Sequence, residues 1–360
     1  MQKNNYIFDF TIEPRIGDEI SVVFSSDNNY IPYLGVAIKS LIENSSFEKK
    51  YTIYILTEDL KENIKKKLLS LETSNVKINC IDVAPIFNTL KNTNFYTPGH
   101  FTKAVYYRFF IPNIFFKFKK IIYCDCDAIF LDDVAELYNI GIGNSLLGVV
   151  KDTVVNCGLS MGYHIEYLQQ ILKLKEPQNY FNSGICIFNI PSCLEFNLSK
   201  KCIEKLEEIK EPKFVDQCVL NAVCENKIYF LDIKWNVQNH AIMEFYNLNE
   251  VLTAEQHNEY IDALKNPKFL HYTSHIKPWK CPSSYNANLF WHYAKKTPFF
   301  YNIIFKNIKD IIALPKEPFL YANKLQVVFS IRKAKTPTKI YKILTILGLK
   351  IIISIKERKI

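Results

Sequence analysis

The chain has 360 residues, 48% hydrophobic and 22% charged, and its 26 Phe and 22 Tyr against only 10 Gly exclude a disordered, collagen-like or linker-rich protein. The length suits one large α/β domain with an appendage. The net charge of +9 is matched by the segment Asn323 to Ile360, where eight Lys and two Arg face Glu357 alone, and no nucleic-acid-binding module accompanies it.

Residues 1–19 form a polar extension without the apolar core of an export signal, and the ten Cys include no Cys-x-x-Cys pair, so the expectation is a reduced, cytoplasmic protein. Periodic patterning then predicts a strand over Ile20 to Phe24, a helix over Pro32 to Glu43, a strand over Tyr51 to Leu56, a helix over Lys61 to Leu71 and a strand over Val76 to Val83. This β-α-β-α-β order implies a mostly parallel central sheet flanked by helices, with ligands held at the carboxyl ends of its strands. Thr102 to Phe110 reads as a helix and Lys120 to Tyr123 as an apolar strand. Leu146 to Val150, Gly184 to Ile190 and Lys227 to Leu231 read as later strands, and Val215 to Val223 has helical spacing. In the tail, Ile340 to Ile355 interleaves Lys with Ile, Leu and Tyr, and its apolar runs fall short of the roughly 20 residues that cross a bilayer. A basic, amphipathic, helical appendage lying on an anionic membrane surface is expected there.

Four segments carry candidate chemistry. The strand at Lys120 to Tyr123 runs into Asp125-Cys126-Asp127; residues i and i+2 of an extended chain share a face, so the two carboxylates converge while Cys126 turns away. Two hard oxygen ligands suit Mn²⁺ or Mg²⁺, with a diphosphate filling open positions; a turn or helix cap is the competing reading. The loop Ser25-Ser26-Asp27-Asn28-Asn29-Tyr30 follows the first strand and either hydrogen-bonds a base and ribose or caps the next helix. In Tyr180-Phe181-Asn182-Ser183-Gly184 the small Gly either lets a polar side chain meet a ligand or marks a turn. Finally, His271 stands six residues before Lys277. An imidazole can complete a two-carboxylate Mn²⁺ site and an ammonium can neutralise a departing phosphate, although a single His is also commonly structural.

In order and spacing these pieces resemble glycosyltransferase family 8 over about Ile20 to Trp279, the group containing bacterial lipooligosaccharide and lipopolysaccharide galactosyl- and glucosyltransferases and, more distantly, glycogenin. The resemblance implies a GT-A fold, a UDP-galactose or UDP-glucose donor, a divalent metal and retention of anomeric configuration. Carried onto this chain, it assigns Asp125, Asp127 and His271 to Mn²⁺, with Mg²⁺ as the second candidate, and Lys277 to the departing UDP. Ser25, Asp27, Asn29 and Tyr30 would line the uracil and ribose site, Arg108 would reach the donor sugar region, and His100 would sit on a loop over the diphosphate. Asp152, Asn182, Asp216 and Gln217 would line the sugar pocket; Asp216 as a helix cap and Asn182 as a turn residue remain alternatives. The middle of the metal triplet departs from the usual small or hydroxyl residue: Cys126 stands there.

The expected organisation is an extension over 1–19, a GT-A catalytic domain over 20–300 and a membrane-associating segment over 301–360. The expected reaction is same-face transfer of a hexose to an oligosaccharide or lipid-linked glycan at the inner face of a bacterial membrane, with Gln217 too poor a nucleophile for double displacement. Two rivals are a phosphohydrolase using Asp125 as nucleophile and a non-catalytic nucleotide-sugar-binding protein. The first is disfavoured because 120 residues of β-α-β precede the triplet. The second is disfavoured by intact candidates for every role.

Overall fold

Strand β1 (Glu19–Ser25) is apolar on both faces, and its alternation explains why: Val22 and Phe24 pack on one side of the sheet and Val23 on the other. The same division holds in β2 (Lys50–Thr57), with Ile53 and Ile55 against Tyr54 and Leu56, and in β4 (Lys120–Cys124), with Ile122 and Cys124 against Ile121 and Tyr123. Strands buried on both faces are near-continuous apolar runs, which is why they were legible without a polar phase. The computed structural model describes residues 11–14, 19–99, 101–239, 251–273, 275–313, 329–335, 339–346 and 349–357.

The remaining strands of the main sheet are β3 (Val76–Asp82), β6 (Leu147–Lys151), β7 (Phe181–Asn189) and β8 (Ile228–Phe230), and its order is β3-β2-β1-β4-β7-β6-β8. β1 pairs in parallel with β2 and β4, β2 with β3, and β6 with β8; β7 alone runs antiparallel to both of its neighbours. The polarity of β7 brings its N-terminal residues to the rim where β1, β4 and β6 end. A small second sheet, β5 (Ala128–Phe130), β10 (Phe269–His271) and β9 (Val237–Gln238), is attached at that rim.

Helix Ile31–Asn44 covers one face through Ile31, Leu34, Ala37, Ile38 and Leu41. A Cβ at its Gly35 would come 2.4 Å from the Phe299 ring, so the close approach there requires glycine. Helices Leu198–Ile209 and Val215–Cys224 pack on the opposite face. The segment expected as a helix over Thr102 to Phe110 is a 3-10 helix over Lys103–Phe110.

The tail corrects the expectation of a purely helical appendage. Helix Phe300–Ala313 begins it, with Ile303 buried against the body. Beyond it, β11 (Phe329–Lys335), β12 (Lys339–Ile346) and β13 (Leu349–Glu357) form an antiparallel three-stranded sheet. The physical reason is composition: Ile340, Ile343, Thr345, Ile346, Ile351, Ile352, Ile353 and Ile355 are β-branched, and so dense a set of β-branched residues serves a strand better than a helix. No helix among the described residues is long and apolar enough to cross a membrane.

Candidate active site

The expected strand-end residues meet at one rim. β4 stops at Cys124 and β5 starts at Ala128, so Asp125, Cys126 and Asp127 form the bend between two sheets. The Asp125 N–H donates to Gly184 O at 2.8 Å, which ties the bend to β7. β5 pairs antiparallel with β10, placing His271 opposite Ala128, and the Tyr272 N–H donates to Asp127 O at 2.9 Å.

One ligand atom from each of Asp125, Asp127 and His271 lies within 4.8 Å of the others. His271 Nε2 stands 3.2 Å from Asp127 Oδ1 and 3.7 Å from Asp125 Oδ2. Its Nδ1 lies 3.0 Å from Asn236 Oδ1. Because the Asn236 amide nitrogen donates to Asn182 Oδ1 at 2.9 Å, its oxygen is the acceptor for Nδ1–H, which leaves the Nε2 lone pair facing two carboxylates. A nitrogen lone pair and two carboxylates converging at coordination range are the donor set of a Mn²⁺- or Mg²⁺-type centre, so the residues present fit such an ion. Gly184 makes room for this imidazole: a Cβ there would fall 2.1 Å from His271 Cε1.

Lys277 Nζ pairs with Asp127 Oδ2 at 2.5 Å and also donates to Tyr272 O. Burial pushes the Asp127 carboxyl up, but the Lys277 ammonium outweighs it and holds it well below the usual carboxylate range. On the other side, buried Arg108 donates to Asp125 Oδ1 at 2.7 Å and to Ser183 O at 2.7 Å, and meets Asp216 Oδ2 at 3.1 Å. Its guanidinium lies 4.2 Å from the Tyr123 ring centre, and the Tyr123 hydroxyl donates to Asp125 Oδ1 at 2.8 Å. Burial pushes Asp216 up to about 6 against the pull of Arg108.

Asp152, Asn182, Asp216 and Gln217 form one polar network. Asp152 Oδ1 caps helix Thr153–Ser160, accepting from Val155 N–H at 2.9 Å, and its Oδ2 accepts from Asn182 at 3.1 Å and Gln217 at 3.0 Å. Gln217 Oε1 accepts from Asn182 Nδ2 and from Ser183 N–H. Asn182 stands inside β7, so the turn reading fails; Asp216 spends its carboxylate on Arg108 and the Ser183 hydroxyl at 3.0 Å, and Phe214 occupies the N-cap of helix Val215–Cys224.

A cavity of about 610 Å³ opens between these groups. Ser25, Asp27, Tyr30, Arg108, Cys126 and Lys277 line it with the carboxylates and His271, whereas Asn29 is exposed beside it. Asp27 Oδ1 accepts from the Asn29 and Tyr30 N–H groups, so the loop orders the turn leading into helix Ile31–Asn44 and lines the cavity at once. Cys126 donates to Ser25 O at 3.0 Å, away from the cluster, and burial first, then the two flanking carboxylates, push its thiol well up. Two buried hydroxyls at the cavity, Ser25 Oγ and Thr273 Oγ1, have no hydrogen-bond partner among the described residues, a further sign of a polar ligand. His100 lies outside the described residues. Asn236, Gln238, His164, Lys213 and Phe214 also belong to the site, and nothing in their local spacing marked them as functional.

The family model described as Glycosyl transferase family 8 matches residues 21–281. General stress protein A of Bacillus subtilis is 30% identical over 291 residues, 78% of this chain and 95% of that protein. A lipopolysaccharide 1,3-galactosyltransferase of Salmonella typhimurium is 26% identical, over 77% of this chain and 78% of that protein. Among solved structures, the apo WbbM bifunctional glycosyltransferase superposes with a TM-score of 0.73 and 27% identity over 83% of this chain, which spans 53% of that longer one. The seven-stranded sheet with its flanking helices is the GT-A fold.

Proposed function

Since this chain belongs to glycosyl transferase family 8, we propose that it is a retaining hexosyltransferase that moves galactose or glucose from a UDP-sugar to a glycan acceptor of lipopolysaccharide-core type. The observation that carries the reading is the convergence of Asp125, Asp127, His271 and Lys277 on one cavity, beside a polar network able to hold sugar hydroxyls. A bound Mn²⁺ or Mg²⁺ would supply charge for the diphosphate.

The chain's own residues do the rest. Breaking the bond from sugar to diphosphate builds negative charge on UDP, and Lys277, already aimed at Asp127, is the fixed cation there. Arg108 and Tyr123 hold Asp125 in position. Gln217 is bonded on both sides of its amide and Asp216 is committed to Arg108, so neither is free to attack the anomeric carbon. This supports same-face substitution: the acceptor oxygen bonds to the anomeric carbon as the phosphate oxygen leaves, and the acceptor proton passes to the β-phosphate.

The test is UDP release from a panel of UDP-sugars with Mn²⁺, with and without acceptors. Galactose or glucose donors should be turned over, and both excess chelator and Asp127→Asn should lower the rate by at least about a hundredfold. Full activity under chelation, or a glycosyl adduct isolated on Asp216, contradicts the reading.

A further inference from the structure

The cavity holds five carboxylates, Asp27, Asp125, Asp127, Asp152 and Asp216, and two of its cations are spent on them: Arg108 on Asp125 and Asp216, Lys277 on Asp127. A third lining cation, Lys213, forms no ion pair among the described residues; it is exposed, and its ammonium lies 4.6 Å from the centre of the Tyr167 ring. Its backbone N–H is fixed by the Tyr167 hydroxyl at 2.9 Å. His164 lines the same cavity, its ring edge-on to Phe214 at 5.6 Å. Burial, then Lys213, push this imidazole's pKa down while Asp152 opposes them.

The backbone here is strained. His164 has φ 65° and Val215 has φ 37°, a left-handed conformation that a β-branched residue rarely adopts. Such strain persists where the surroundings over-determine it, commonly at ligand sites. Asp152 acts on His164 and Phe214 packs in the cluster of Val155 from helix Thr153–Ser160, whereas the metal-type cluster is built on β4, β5 and β10.

We infer that the acceptor bears an anionic group, a carboxylate or a phosphate, and that Lys213 binds it with His164 as a hydrogen-bonding partner. This rests on the transferase reading above. A cation with no ion-pair partner among the described residues, in a cavity otherwise rich in carboxylate, favours an anionic partner through a charge-assisted hydrogen bond and disfavours a neutral sugar by comparison.

Binding of glucose, glucuronate and glucose 6-phosphate to the full chain preloaded with Mn²⁺ and UDP, read by calorimetry, tests it. One or both anionic sugars should bind about tenfold or more tightly than glucose. Comparing the two separates carboxylate from phosphate, and Lys213→Glu should abolish the advantage. Equal affinities, no binding by any of the three, or a preference that survives in Lys213→Glu overturns the inference while leaving the donor reading standing. Failure of UDP itself to bind defeats the donor reading and this inference together.

Discussion

At the scale of single residues, Asn236 has the greatest leverage for its size. It is 1% exposed, and its amide joins the imidazole of His271 to Asn182, and through Asn182 to Gln217 and Asp152. A group that orients a ligand from behind typically governs metal affinity by roughly 10–100-fold. Asn236→Ala should therefore weaken Mn²⁺ binding by that order, measured by titration with paramagnetic resonance detection. Asn236→Asp keeps an acceptor for Nδ1–H and should retain most of the affinity while raising the donor KM, since it cannot donate to Asn182. Equal loss in both variants would argue for a packing role alone. Asp216 makes a second prediction, for the metal-free protein. Its folded pKa of about 6 exceeds the ordinary 3.8, so the folded state holds this proton where the unfolded state has lost it. That contribution to stability is complete below the ordinary value and lost as pH rises through about 6. Urea titrations across pH 4 to 7 should show a flatter profile for Asp216→Asn; an identical slope counts against it.

Among elements, β5 is the piece on which the site hangs. Only three residues long, it is pinned to helix Ile31–Asn44 by Ser40, whose hydroxyl accepts from Phe130 N–H at 2.9 Å and donates to Ala37 O, and by Asn44, which donates to Phe130 O at 3.0 Å. Ser40→Ala leaves a buried N–H without its partner and should destabilise the protein by about 1–3 kcal/mol in urea titration. The strands buried on both faces were legible because an apolar run bounded by polar residues has few alternatives. β5 and β10 were not, since three residues carry no period; their existence follows from tertiary pairing. The metal-type triad was legible for a different reason: Asp125 and Asp127 are close in sequence, and the family resemblance supplied His271 across 144 positions. Asn236, at the end of the 3-10 helix Ile233–Asn236, and Lys213, in a turn, carry no such marker. The tail's interleaved Lys, Ile and Leu suggest an amphipathic helix, but its density of β-branched residues decides for strands.

For the whole molecule, the charge map is the notable property: a body near neutrality and a surplus confined to the last forty or so residues. Basic residues near an anionic bilayer contribute about 1 kcal/mol each. We propose that this segment holds the enzyme on the membrane that carries its acceptor. Deleting residues 314–360 should abolish sedimentation with phosphatidylserine vesicles at low salt while UDP release in solution persists. Unchanged sedimentation of the truncated chain would reject the role.

The antiparallel β7 and the late strand β10 also set a timetable for the protein's birth. Asp127 finds its imidazole 144 residues later and its ammonium 150 residues later, a stretch that a ribosome needs roughly ten to thirty seconds to make. Until then Asp125 has Arg108 but Asp127 lacks its cation, and a nascent or truncated chain ending before Lys277 should be inert toward nucleotide sugar. The proposed site is thus assembled only once the segment carrying Lys277 has been made.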